Sequence, residues 1–233
     1  MACMPPFTAL RAVLAALLLA TTPALAAPFA VQLGDTRIAL DTPPGFSDAA
    51  NTGSPRVLEL AESLTSASNR ILLFGITDAD LRRFSVGDTP ELRRYLIAVT
   101  PRSLERYYVS QKDFERYVAE VTRDLAPPPA DVDAQKLLDA APSGQPVVLA
   151  ELHREPALLS FMQGARFDAA EKRFFWEETV PTAYLLSTTT LLLLRDRALS
   201  LSIYTGYGNQ EDAAWLKQTT KRWIEELKRI NRF

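Results

Sequence analysis

The stretch YLLSTTTLLLLRDRALSLSIYT, Tyr184 to Thr205, decides the fold, because its 22 residues are either a membrane span or a folded hairpin. Most of its side chains are apolar or hydroxylated, but Arg195, Asp196 and Arg197 lie near its middle. Placing these charges at the centre of a bilayer costs about 2.5–3.5 kcal/mol each, or roughly 8–10 kcal/mol together. At the tip of a hairpin, in water, they cost almost nothing.

The residues after the charged triplet favour the hairpin. Leu199, Leu201 and Ile203 alternate with more polar residues, and this period of two is typical of a strand with two different faces. We therefore predict two antiparallel strands that are joined at a charged, solvent-exposed tip.

Other runs of strand length occur along the chain, each with turn-forming residues around it. Arg70–Thr77 and Tyr95–Thr100 are single runs, and residues 31–40 are interpreted as an opening strand or hairpin. The stretches 147–167 and 172–194 together hold three or four candidate strands. The first run ends at Pro43-Pro44-Gly45, since proline cannot donate to a sheet ladder. The segment 78–94 is interpreted as a polar, charged connection between two strands.

Three helices are predicted in the middle of the chain from their caps and apolar spacing. Ser54 precedes a proline and begins a short amphipathic helix. Ser110 and Asp113 form a cap for a second helix, whose apolar residues continue to Leu125. One or two further helical turns are predicted around Ala134–Ala140.

A long amphipathic helix is predicted at the C-terminus. Asn209 caps it, with Asp212 at the third helical position. We expect its apolar stripe to cover the sheet. The alternative is a helix on a membrane surface, since Trp215 and Trp223 lie among basic residues such as Lys221. The stripe consists of Leu216, Thr220, Trp223, Leu227 and Ile230.

Together these elements predict an α+β fold. A central antiparallel β-sheet is covered by helices, and a long C-terminal amphipathic helix closes the domain. We predict a signal peptide at residues 1–26 and one domain at 27–233, with a proline-rich insertion at about 126–146.

The N-terminus has the pattern of a signal peptide. Arg11 precedes a short apolar run, and Ala24-Leu25-Ala26 supplies small residues before a cleavage site between Ala26 and Ala27. The alternative is an uncleaved anchor, although the apolar run is shorter than the ~20 residues that a span needs. The predicted location is therefore periplasmic or secreted.

The overall composition narrows the classes of function. The formal net charge is −2 and becomes −3 once Arg11 is removed, and there is no strongly basic tract, so nucleic acid is not an expected partner. Cys3 is the single cysteine and precedes the cleavage site, so the mature chain has neither a disulfide nor a thiolate metal site.

No catalytic or cofactor motif is present in the sequence. His153 is the single histidine, and a hydrolase would need it as a base beside a carboxylate and a serine. We interpret it as a strand histidine with an ordinary hydrogen bond. The spacing of a calcium-binding loop does not follow Asp78/Asp80 or Asp131/Asp133, and no phosphate-binding glycine loop is found. We therefore predict no metal and no cofactor.

Two groups of side chains are candidates for binding. Phe174, Phe175 and Trp176 cannot all face one side of a strand, so one side is covered by the terminal helix or is left for a partner. The second group consists of arginines, whose interspersed acids indicate a solvated mixed-charge surface. These arginines are Arg82, Arg83, Arg93, Arg94, Arg102 and Arg106.

The order of elements resembles the PsbP-like superfamily of extrinsic photosystem II proteins and their bacterial relatives. The resemblance implies an antiparallel sheet covered by helices and a non-catalytic accessory or binding role, and it carries over no residue role. The helix after Ser54 and the proline-rich segment depart from the compact form of that superfamily. The stretches that carry the resemblance are IALDTPPGF (Ile38–Phe46), VSQKDFERYVAEV (Val109–Val121), ALSLSIYTGY (Ala198–Tyr207) and DAAWLKQTTKRWIEEL (Asp212–Leu227).

We therefore predict an exported, non-catalytic accessory or ligand/partner-binding protein of the bacterial envelope. Its predicted partner is a protein or a small apolar ligand, and the mature chain has no predicted transmembrane span. One alternative is an envelope hydrolase of unfamiliar type that uses His153. Another is a protein that docks on a membrane complex through the terminal helix or through Phe174–Trp176.

Overall fold

The computed structural model describes residues 28–125, 134–168 and 182–232. Within these ranges the chain has an α+β fold with nine strands and five α-helices. The strands are β1 (Phe29–Leu33), β2 (Thr36–Leu40), β3 (Phe46–Asp48), β4 (Asn69–Thr77), β5 (Arg94–Pro101), β6 (Val147–Glu155), β7 (Leu158–Asp168), β8 (Thr182–Leu194) and β9 (Arg197–Gly206). The helices are α1 (Pro55–Ser63), α2 (Asp78–Ser85), α3 (Gln111–Val121), α4 (Ala134–Ala140) and α5 (Gln210–Ile230).

Seven of the described strands form one antiparallel sheet in the order β3-β4-β5-β9-β8-β7-β6. The hairpin predicted from Tyr184–Thr205 is confirmed, since β8 pairs with β9 from Leu185–Gly206 to Leu194–Arg197. A two-residue turn joins the two strands, and Arg195 and Asp196 adopt φ values of 49° and 62° in it. Positive φ at both central positions is the geometry of a type I′ turn, whose twist matches that of paired strands.

The charged tip is only partly in solvent, so the prediction of a wholly exposed triplet is wrong. Arg195 is exposed, whereas the side chain of Arg197 is only 4% exposed. The turn of the separate β1–β2 hairpin covers Arg197, whose guanidinium bonds to Asp35 of that turn and to Thr36, the first residue of β2. The opening segment, for which a strand or a hairpin was predicted, is therefore a hairpin, and it packs against the tip of the central one.

Helix α5 covers one face of the sheet, as predicted. Four residues of its apolar stripe are buried against β8, β9 and β2, and the fifth, Ile230, is partly buried. Trp223 is 3% exposed, and its Nε1 donates a hydrogen bond of 2.7 Å to the carbonyl of Asp41. Asn231 follows the helix and exchanges two hydrogen bonds, of 3.0 and 2.8 Å, with the backbone of Ala39. Because Trp223 lies in the core, it is not available to a membrane surface.

The opposite face of the sheet is covered by α1, α2 and α3. Helices α1 and α2 pack over β4 and β5, while Phe114 of α3 packs over β8 and β9. The connection 78–94 is therefore not only a polar loop, because it contains α2, which begins after Thr77 and buries Leu81 and Phe84 partly. The predicted cap of α3 is confirmed, since the Ser110 hydroxyl accepts from the backbone N–H of Asp113 at 3.2 Å.

The predicted start of α1 is confirmed, whereas the predicted end of α3 needs correction. Ser54 precedes α1, but its side chain makes no capping hydrogen bond. Helix α3 ends at Val121 and does not continue to Leu125. The predicted short helix at Ala134–Ala140 is confirmed as α4, and its Leu138 is fully buried.

Candidate functional site

Two sites named from the sequence lie outside the described residues. They are the aromatic group Phe174, Phe175 and Trp176 and the cleavage site at Ala26 and Ala27. Their roles stay predictions.

His153 lies on β6, where its side chain is 47% exposed. Its Nε2 is 2.6 Å from Oε1 of Glu155, and Lys228 of α5 donates to the other carboxylate oxygen at 2.6 Å. Ser160 is opposite His153 in the strand register, but its hydroxyl is buried and bonds to Thr190 at 2.8 Å. His153 and Glu155 are thus close enough for the histidine and carboxylate of a hydrolytic triad, whereas the Ser160 hydroxyl bonds to Thr190 and not to His153.

The acidic pair Asp78 and Asp80 has structural contacts at the start of α2. Asp78 accepts from the Ser47 hydroxyl at 2.7 Å, and Asp80 accepts from the Thr77 hydroxyl at 2.8 Å. A second bond to Asp80, from the backbone N–H of Glu91 at 2.8 Å, fixes the connection to β5. Across the described ranges, no group of three or more histidine and acidic side chains is arranged to hold a metal ion.

A surface cleft of about 530 Å³ lies between α2 and the N-terminus of α5, and we call it the α5 cleft. It brings together three of the six arginines that the sequence singled out, and it also contains acidic side chains. Its charged lining consists of Asp80, Arg83, Glu91, Arg93, Arg94, Glu211 and Asp212. The prediction of a mixed-charge surface is therefore confirmed for these arginines.

Asp212 and Arg94 organise the α5 cleft. Arg94 donates from Nη2 to Asp212 at 3.0 Å, and its Cζ lies 4.0 Å from the ring centroid of Trp215. The second carboxylate oxygen of Asp212 accepts from the backbone N–H of Gly208 at 2.9 Å. Burial alone would raise the pKa of Asp212, but the Gly208 and Arg94 hydrogen bonds outweigh it and hold the pKa below its usual value.

The charges of the α5 cleft are largely compensated within the protein. Arg83 pairs with Glu91 at 2.6 Å, both in solvent, and Arg94 pairs with Asp212. The side chain of Arg93 is 63% exposed, and its Nη2 lies 3.9 Å from Oδ2 of Asp212. The carboxylates of the cleft thus pair with the arginines that would otherwise bind an anionic ligand, so the cleft is a weak candidate for a ligand site.

The opposite end of the sheet carries a different kind of surface. Strand β5 begins with Arg94 at the α5 cleft, and after its eight residues, about 25 Å of strand, the chain enters the segment Leu104–Val109. The backbone N–H of Val109 donates to the carbonyl of Asp196 at 3.0 Å. An added Cβ on Gly34 would lie 3.2 Å from the carbonyl oxygen of Arg106. Three distant segments therefore meet here.

We call this end the tyrosine–arginine surface. Tyr107 and Tyr108 are 67% and 69% exposed, unlike most large apolar side chains of the described residues. The exposed arginines around them come from all three segments, and one of them, Arg195, donates to the carbonyl of Arg37 at 3.0 Å. The surface consists of Arg37, Arg106, Tyr107, Tyr108 and Arg195.

Sequence reasoning missed this surface. The sequence alone places Arg106 with the arginines of the middle connection, but in the structure it lies at the other end of β5. The available signal was the pair Tyr107-Tyr108 in a short connection between a buried strand and a capped helix. Two adjacent aromatic side chains in such a connection cannot both be buried easily, although local sequence does not show what surrounds them.

Comparison with known proteins identifies no family for this chain. No protein-family model matches it, and no curated protein matches it. Among solved structures, the Ran-binding protein Mog1p of Saccharomyces cerevisiae is similar, with a TM-score of 0.39 and 13% sequence identity over 87% of this chain and 93% of that chain. A similarity at this TM-score assigns neither a fold family nor a partner.

None of the helices in the described ranges has the length and apolar character that crossing a bilayer requires.

Proposed function

We propose that this protein is an exported, non-catalytic accessory protein of the bacterial envelope, and that it binds a protein partner through the tyrosine–arginine surface. The observation that carries the proposal is the exposure of Tyr107 and Tyr108, at 67% and 69%, beside arginines from three segments. Tyrosine and arginine are enriched in protein interfaces and dominate their binding energy.

The rigidity of the underlying structure also supports this role. Val109, next to the tyrosines, is 5% exposed and packs with Phe114 and Leu193, while its backbone bonds to the β8–β9 turn. Two tyrosines on a connection that is anchored in this way lose little conformational entropy when a partner binds. The surface is therefore suited to recognition.

A protein partner is better supported than a small apolar ligand. Helix α5 packs directly on the sheet, with Leu216 and Leu227 fully buried. The α5 cleft is lined mainly by charged side chains, and a cavity of about 340 Å³ beside β4 includes Glu62, Arg70 and Arg102. Sites for apolar ligands are lined mostly by hydrophobic side chains.

The assignment to the envelope rests on the signal pattern before Ala27 and on the resemblance to the PsbP-like superfamily. The order of elements in that resemblance, with a capped central helix, antiparallel strands and a terminal helix on the sheet, is also the order in the described structure.

Site-specific photo-crosslinking in the producing cell tests the proposal. The photoreactive residue replaces Tyr107 or Tyr108 in one set and Val86 in the control. Val86 is 76% exposed and lies at the end of α2, before β5 in the chain, whereas the two tyrosines follow β5. We expect one discrete adduct from both tyrosine positions and none from Val86. The captured protein is then purified and mixed with wild type and with Y107A/Y108A, and it should bind only wild type. Equal adducts at all three positions, or no adduct, would contradict the proposal.

A further inference from the structure

We infer that the tyrosine–arginine surface recognises an acidic segment of a protein, in which carboxylate side chains pair with Arg37, Arg106 and Arg195 while Tyr107 and Tyr108 supply the apolar contact. This inference rests on the proposed function and names the chemical class of the partner.

The first argument is the pairing of the arginines. Within the described ranges, Arg37, Arg106 and Arg195 form no ion pair with any carboxylate. This differs from the α5 cleft, where Arg83 and Arg94 are already paired. Three guanidinium groups are thus available to carboxylates from outside.

The second argument is the balance of charge on the three segments that meet here. Two of their three acidic residues are already paired, Asp35 with the buried Arg197 and Glu105 with Arg70. Asp196 is the remaining one, and it forms no ion pair within the described ranges. Three available arginines against one available carboxylate leave an excess of positive charge on a protein whose formal net charge is −2.

The third argument is the buried guanidinium of Arg197, which lies at the same end of the sheet as the tyrosine–arginine surface. Its Nη1 is buried and has no hydrogen-bond partner in the described structure, and its single ion pair is with Asp35, whose side chain is 90% exposed. Asp35 contacts this cation directly, but its exposed carboxylate is screened by water, so part of the positive potential of Arg197 remains at this end of the sheet. An acidic partner would therefore gain from it without contacting it.

The chemistry of the surface favours an acidic polypeptide over a lipid bilayer. A guanidinium presents a planar fork of donors that matches a carboxylate in a bidentate way. Surface binding to membranes depends on inserted tryptophan, phenylalanine and leucine side chains. Among the large apolar side chains that the described structure exposes, Tyr107 and Tyr108 are the ones on this surface.

The experiment measures binding of a fluorescein-labelled oligoglutamate peptide, with the oligoglutamine counterpart as the neutral probe, by fluorescence anisotropy at low salt. We expect oligoglutamate to bind wild type and R37E/R106E/R195E to weaken this binding about tenfold, since three exposed ion pairs, each of modest strength, are lost together. The matched control is R82E/R222E/R232E, which changes the net charge equally at exposed arginines that form no ion pair in the described structure. This control should reduce binding much less.

Circular dichroism checks that both triple variants fold. If one of them does not fold, the single variant R106E and a salt titration of wild type are used instead. No binding of oligoglutamate, or equal weakening by the two triple variants, overturns the inference. Binding of heparin as strong as that of oligoglutamate also overturns the inference, because the surface then selects polyanions in general. Binding to phosphatidylglycerol vesicles without binding to oligoglutamate indicates that the partner is a lipid surface, and this result also overturns the inference.

The inference and the proposed function fail separately. A discrete adduct at Tyr107 that persists in R37E/R106E/R195E leaves the proposed function standing and removes the acidic partner. Loss of the adduct in this variant, together with its persistence in R82E/R222E/R232E, supports both.

Discussion

Arg197, with a side chain only 4% exposed, donates from Nη2 to the carboxylate of Asp35, whose side chain is 90% exposed. The pair joins the tip of the central β8–β9 hairpin to the turn of the β1–β2 hairpin. An aspartate that looks like an ordinary surface residue therefore compensates a buried cation, and its removal leaves that cation with only the Thr36 hydroxyl.

We predict that D35A lowers the free energy of unfolding by about 1–2 kcal/mol, because breaking one side of a buried ion pair leaves the other charge uncompensated. The estimate is below the value for a fully buried pair, since Asp35 lies in solvent. Denaturant unfolding measures the change. D88A is the matched control, because Asp88 is also exposed and forms no ion pair in the described structure, and it should change stability by less than about 0.5 kcal/mol.

The double variant D35A/R197M separates this explanation from a loss of turn structure. Replacing both charges with apolar groups removes the buried guanidinium, so the double variant should be more stable than D35A. If D35A costs no more than D88A, the pair contributes nothing and the explanation is wrong.

Local patterns explain why the central hairpin could be predicted and the burial of Arg197 could not. Arg195-Asp196-Arg197 interrupts an apolar run, and this signal lies entirely within the 22 residues of the stretch. The covering residue Asp35, however, is 162 positions away from Arg197 in the chain. A charge in a turn reads as solvated unless the element that covers it is known.

The same distinction applies to α2 and to the α5 cleft. Thr77 and Asp80 form a cap at a spacing that the sequence shows, but only Leu81 and Phe84 follow at helical spacing, which is too short a pattern to distinguish a helix from a turn. Arg94 and Asp212 are 118 positions apart. The arginines could be recognised as a mixed-charge group, whereas their division between two ends of the sheet depends on the fold.

Asp212 should make stability depend on pH in the acid range. An aspartate in the unfolded chain has a pKa near 3.8, and Asp212 has a lower pKa in the folded protein. Its contribution is therefore present above the unfolded value and is lost as pH falls through the folded value. We predict that the stability difference between wild type and D212N is constant near neutral pH and shrinks as pH falls from about 5 to about 3.

Denaturant unfolding at a series of pH values measures this difference. E211Q is the matched control, because Glu211 is the exposed neighbour in the same first turn of α5 and has no described partner as close as Arg94. Its stability difference should vary less with pH. A D212N difference that stays constant down to about pH 3 would show that the pKa of Asp212 is not lowered in the folded protein.

A buried pair of hydroxyls joins α5 to the sheet. Thr188 of β8 and Thr220 of α5 lie 2.7 Å apart between their Oγ1 atoms, and Thr220 also donates to the carbonyl of Leu216 at 2.8 Å. Because the Thr220 hydroxyl has a single proton, Thr188 is the donor within the pair. Replacing Thr220 therefore leaves a buried donor without its partner.

We predict that T220V lowers the free energy of unfolding by about 1–2 kcal/mol and that T188V costs about 0.5 kcal/mol, since an unsatisfied buried group costs more than a lost bond. The double variant should cost less than T220V alone. A double-mutant cycle measured by denaturant unfolding checks this, and additive effects of the two substitutions would contradict it.

The type I′ turn offers a stabilising substitution. Arg195 and Asp196 have φ values of 49° and 62°, a region in which Asn and Gly are favoured and arginine is strained. We predict that R195N/D196G raises the free energy of unfolding by about 1 kcal/mol, because the strain at both positions is relieved. Thermal and denaturant unfolding measure the gain.

The control for this variant is R195N/D196A, in which the second position has a Cβ and lacks the polar side chain that helps Asp to adopt positive φ. It should be less stable than R195N/D196G by about 1 kcal/mol. The lost hydrogen bond from Arg195 to the carbonyl of Arg37 is exposed, so it contributes little to either variant. Equal stabilities of the two variants would mean that the turn does not require positive φ at position 196, and the register of β8 and β9 would then need another explanation.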